Sequence, residues 1–97
     1  MTLSELASKY IISAEHAFNH MEIAETPITL DSSHVAKLID FAKAYLEDAK
    51  YYREKKKFEV GLTSIAYCEG LLDALKLLGA VRFEWPTTKT KRKASER

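Results

Sequence analysis

The sequence predicts an all-α protein, an antiparallel up-and-down three-helix bundle with a short extended C-terminal segment. Three observations carry that reading. Apolar residues recur at steps of three and four through most of the chain. Two polar stretches, "AETPITLDSSH" and "REKKKF", interrupt the pattern. The period falls to two in one place only, "AVRFEWP". At 97 residues the chain is sized for one domain. That domain is expected over residues 1–86, with helices at about 3–24, 33–55 and 58–78, and a basic, disordered tail over 87–97.

In the first helix Leu3, Ala7, Tyr10, Ala14, Ala17, Met21 and Ala24 form one stripe, widened by Leu6 and Phe18. That spacing keeps one face of a helix buried. Thr2 or Ser4 can cap its start, with Glu5 in the first turn. Pro27 disfavours helix at Thr26 and ends the element. Asp31, Ser32 and Ser33 then supply the next N-cap.

The second helix carries Val35, Leu38, Ala42, Tyr45, Ala49 and Tyr52 at the same spacing. Its stripe loses phase at Lys55, Lys56 and Lys57, so a tight turn is expected there; cations also suit a helix C-terminus. The third helix has two stripes: Phe58, Ile65, Cys68, Leu72 and Leu75, and Val60, Tyr67, Leu71, Ala74 and Leu78. Together they cover roughly half the circumference, more than a lone surface helix buries. This helix is therefore central, or it buries a face against another chain. Gly79 stands where a C-terminal glycine cap belongs. Phe83 and Trp85 are too large to stay free in water, and should fold back on the helices or dock on a neighbour.

Composition narrows the function. A net charge of +1 gives no strong global field. The single cysteine, Cys68, excludes an internal disulfide and a cysteine-based zinc site, and fits a reducing compartment. The opening "MTLSELASKY" mixes acid and base, so no signal peptide is expected. No stretch is apolar enough for a membrane span, and the expected location is the cytoplasm.

Each candidate site has a bland reading beside it. His16 and His20 stand at i and i+4, two legs of a metal site without a third, and read as a solvated face. Tyr51, Glu69, Gly70 and Asp73 could line a pocket, with paired carboxylates doing acid–base work. The plainer reading has Glu69 and Asp73 paired with cations, Lys76 being close enough to Asp73, and Gly70 marking a close helix crossing. On that reading Gly70→Ala should be neutral to destabilising. Lys89, Lys91, Arg92 and Lys93 in the tail could contact nucleic-acid phosphates, helped by Tyr51 and the lysines at 55–57. No Gly-rich phosphate loop or nucleophile constellation is present, and no cofactor or metal is expected. Cys68 lies in an apolar stripe and should be an inert thiol.

The segment "YYREKKKFEVGLTSIAYCEGLLDALKLLG" resembles a small archaeal family known as domain of unknown function family 357. The likeness rests on Ala49-Lys50-Tyr51-Tyr52, the basic turn, Ile65-Ala66-Tyr67, Gly70-Leu71-Leu72-Asp73-Ala74 and Leu77-Leu78-Gly79. It implies a short up-and-down helical bundle and no particular reaction. Members of the family often carry a histidine where this chain has Glu69, which argues against a fixed catalytic role there. More distantly, the segment looks like the helical hairpins of the HEPN superfamily. The nucleases of that superfamily use an Arg followed closely by a His on a late helix. The third helix has neither, so nuclease activity does not carry over.

The functional expectation is a non-catalytic interaction module. It self-associates or docks a protein partner through Val60, Tyr67, Leu71, Leu78, Phe83 and Trp85. The alternative is a nucleic-acid-associated accessory protein acting through its tail.

Overall fold

A computed structural model describes residues 1–86, and among these the chain forms three α-helices and no strand. They are α1 (Leu3–His20), α2 (Ser32–Glu54) and α3 (Phe58–Leu77). Lys89, Lys91, Arg92, Lys93 and the rest of the expected tail lie outside the described residues.

The expected caps form. The Thr2 hydroxyl accepts from the Glu5 amide at 3.0 Å, and the Glu5 carboxylate accepts from the Thr2 amide at 2.7 Å. Two otherwise orphaned donors are thereby satisfied reciprocally. These bonds hold the Glu5 carboxyl below its usual range, the Thr2 amide contributing most. At α2, Asp31 accepts from the His34 amide at 3.0 Å and from the Ser33 hydroxyl at 2.7 Å.

The basic break is a tight turn, as its loss of phase predicts. The Lys57 amide donates to the Tyr52 carbonyl at 2.8 Å and the Lys56 amide to the Arg53 carbonyl at 3.0 Å. This is a Schellman cap, and it places Lys56 at φ +61°, a position that favours glycine. α3 ends in the same motif, with Gly79 at φ +76° and the Ala80 amide donating to the Leu75 carbonyl at 2.9 Å.

α2 and α3 pack antiparallel. Gly61 faces Ala49 and Tyr52, whereas six residues further along α3 Tyr67 faces Tyr45. The seam on α3 is Gly61, Cys68 and Leu75, all buried at a seven-residue spacing. That repeat keeps one edge of a slightly supercoiled helix against its neighbour. Ala42 is the buried residue of α2.

α1 differs from expectation in two ways. It stops at His20, four residues short of residue 24, and Met21 is already extended. It also stands apart from α2 and α3, with no contact between them, and the Leu3-to-Ala24 stripe faces solvent. The two findings share a cause. Helical periodicity in Met21 and Ala24 extends a helix only where packing offsets the entropy of ordering, and α1 has no packed face here. The radius of gyration, 16.1 Å, exceeds the roughly 13 Å of a compact domain of about 100 residues.

A candidate interaction surface

At 100° per residue, the seam of α3 leaves two open flanks and an outer edge. Glu59, Thr63, Ala66 and Gly70 occupy the outer edge and are exposed. A methyl added at Gly70 would meet nothing within 4 Å, so the expected close crossing is not there. The crossing is at Gly61, where an added methyl would lie 3.4 Å from the Ala49 carbonyl oxygen and 3.5 Å from Tyr52 Cβ. Gly70 points away because it lies nearly opposite the Gly61–Cys68–Leu75 line.

The first flank carries Asp73 and Lys76, and residues 81–86 return across it. The Trp85 indole Nε1 donates to Asp73 Oδ1 at 2.7 Å. Phe83 meets the Trp85 ring edge-on, at 5.0 Å between centroids, and lies 5.1 Å below Lys76 Nζ. Lys76 also comes within 3.7 Å of Glu84. Phe83 and Trp85 are half-buried, folded back on their own helix. Nearer the turn, the same flank opens into an apolar groove of about 420 Å³. Its floor is Gly61, and Leu46, Phe58, Leu62 and Ile65 form its walls, with Lys50 and Arg53 at the rim.

The second flank is an apolar strip of Val60, Tyr67, Leu71 and Leu78, with Ser64 between Val60 and Tyr67 and Ala74 between Leu71 and Leu78. Leu71 is half-buried; Tyr67 is 57% and Leu78 61% exposed. Tyr67 stacks on Tyr45, with centroids 4.5 Å apart and planes 15° from parallel, and Phe41 extends the strip onto α2. The six expected interaction residues therefore divide: Val60, Tyr67, Leu71 and Leu78 share one flank, while Phe83 and Trp85 cover the other.

The expected pocket residues also separate. The helix register puts Tyr51 roughly level with Gly61, about 12 Å along the hairpin from Glu69. Lys55 Nζ sits 5.5 Å from the Tyr51 ring centroid, so one ring face carries a cation. Glu69 and Asp73 are half-buried and both are engaged. His16 and His20 stack on each other at 4.1 Å, and among the described residues no group of three or more His, Cys, Asp or Glu could hold a metal. Cys68 is 5% exposed, and burial pushes its thiol pKa up, which keeps it protonated and unreactive. No helix among the described residues is long and apolar enough to cross a membrane.

A family model described as "Protein of unknown function (DUF357)" matches residues 9–81. The chain belongs to the DUF357 family. The DUF357 match takes in most of α1, the linker, both hairpin helices and the first residue of the returning segment. It therefore treats α1 and the hairpin as parts of one unit, although they do not touch in this structure. No curated protein and no solved structure matches the chain.

Sequence reasoning missed the role of Gly61. The signal was present, because Gly61 precedes Cys68 and Leu75 by one and two heptads. A glycine adds no apolar bulk to a stripe, so periodicity passes over it.

Proposed function

We propose that the chain is a non-catalytic helical interaction module that self-associates through the Val60–Tyr67–Leu71–Leu78 flank of α3. The returning segment of residues 81–85 braces that helix from its other side. The observation that supports this is the mismatch between buried and exposed apolar surface. The hydrophobic residues buried in the hairpin are Ala42, Cys68 and Leu75, while an aromatic and aliphatic strip stays open along α3. Full burial of a large side chain stabilises by about 1.5–3 kcal/mol. Ordering the backbone costs about 1–2 kcal/mol per residue. A core this small favours covering more surface, and association does that.

Light scattering on the intact chain over a wide concentration range tests the reading. The expected result is a mass that rises with concentration and falls back to that of one chain in Tyr67→Glu. A single-chain mass for the native protein at every concentration would end it.

A further inference from the structure

We propose that the strip on α3 is covered by α1 of a second copy, giving a dimer with exchanged N-terminal helices. This rests on the self-association reading above and names the segment that does the covering. α1 is a well-capped amphipathic helix whose apolar face has no partner in its own chain. The strip it would cover runs from Val60 to Leu78, about 27 Å at 1.5 Å per residue. α1 has 18 residues and spans about the same length. The groove by Phe58 and Leu62 is a poorer match, because the Phe83–Trp85 segment occupies the same flank beyond it.

Side-chain sizes complement each other as well. The middle of the α1 stripe is small, with Ala7, Ala14 and Ala17 around Tyr10. The strip it would meet is bulky, with Phe41, Tyr67 and Leu78. Large residues against small ones let two helices approach closely.

The linker is compatible with exchange. Residues 21–31 hold no helix or strand, Met21 and Asp31 at its ends are extended, and Pro27 keeps Thr26 out of the helical region. The linker bends at Glu25–Thr26 ahead of the stiff Pro27 and leaves α1 out of contact with its own hairpin, the arrangement from which helix exchange proceeds. Both contacts of such a dimer together cover on the order of 1,100 Å², taking each helix face as roughly 27 by 10 Å. That reaches the roughly 1,000 Å² expected of a specific interface.

Complementation between two full-length variants tests the exchange. Ala14→Glu spoils α1 and leaves the strip intact; Tyr67→Glu spoils the strip and leaves α1 intact. Each variant alone should associate at least about tenfold more weakly than the native chain. Mixed together they should form a heterodimer, since one of its two contacts is then fully native. Circular dichroism of each variant checks that its helices persist. Dimerisation of Ala14→Glu alone at native strength would overturn the exchange and leave self-association through α3 standing. A native chain that is monomeric throughout would remove both.

A second measurement keeps every large side chain of the strip and places its cysteines at small residues. A chain carrying Ala14→Cys, Ala74→Cys and Cys68→Ala is treated with a flexible bismaleimide; Ala74 is exposed at the edge of the strip, between Leu71 and Leu78. Crosslinking between chains is expected. Crosslinking within one chain, or none, would overturn the proposal.

Discussion

The Trp85 indole and the Asp73 carboxylate, twelve residues apart in sequence, are joined by a 2.7 Å hydrogen bond that holds the C-terminal segment against α3. A bond to an ionised acceptor contributes about 1.5–3 kcal/mol where it is shielded, and half-burial places this one toward the lower end. Asp73→Ala should release the segment. Trp85 is the chain's one tryptophan, so its emission reports the change directly. A red shift is expected at full helicity, and unchanged emission would show that the segment is held by other contacts.

The two glycines within α3 should respond differently to larger side chains. Gly70 faces open space, so Gly70→Ala should stabilise by up to about 1 kcal/mol through helix propensity alone. Gly61→Ala places its methyl at ordinary contact distance and should be neutral to mildly stabilising, the propensity gain being smaller this near the helix start. Gly61→Leu should destabilise by about 1–3 kcal/mol by forcing the helices apart. Denaturant midpoints at constant slope measure all three. A destabilised Gly70→Ala would contradict the placement of α3.

Lys56 occupies a glycine position at φ +61°. Lys56→Gly should therefore stabilise the hairpin by about 0.5–1 kcal/mol, less than the full left-handed strain because glycine also loosens the unfolded chain. Gly79→Ala should do the reverse at the end of α3, by about 1 kcal/mol. Thermal unfolding followed by circular dichroism resolves both signs.

The helix caps set an acid dependence. Asp31 is held below its usual pKa, chiefly by the Ser33 hydroxyl and then by the His34 amide. A carboxyl whose folded pKa is depressed contributes its stability above the unfolded value and loses it as pH falls through the folded one. The first turn of α2 should therefore lose amide protection on acidification below the ordinary aspartate range, and Asp31→Asn should flatten the response. NMR titration of the Asp31 carboxyl carbon checks the direction, and a midpoint at or above the usual aspartate value would contradict it.

Much of the fold is legible in the sequence because its determinants are local. Thr2 with Glu5, Asp31, and Gly79 identify helix ends through neighbouring residues, and the loss of phase at Lys55–Lys57 identifies the turn. Longer-range features are less legible. The stripe of Leu3, Ala7, Tyr10 and Ala14 says that a face favours burial, but the same stripe serves a partner in its own chain or in another. Period two in Val81, Phe83 and Trp85 marks an extended segment, yet it does not point to Asp73. The sequence points to Gly70 as the close crossing because that glycine interrupts a long apolar run. Gly61, near the start of the helix, carries it instead.

The central claim is that the Val60–Leu78 flank of α3 is a surface of association. Dilution of methyl-labelled intact chain, followed by NMR, tests this most directly. The methyl resonances of Val60, Leu71 and Leu78 are expected to move together with those of Leu3, Ala7 and Ala14 as the concentration falls, while Leu46 and Ile65 beside the groove hold still. Resonances of the flank that stay fixed from the most dilute to the most concentrated sample would contradict it.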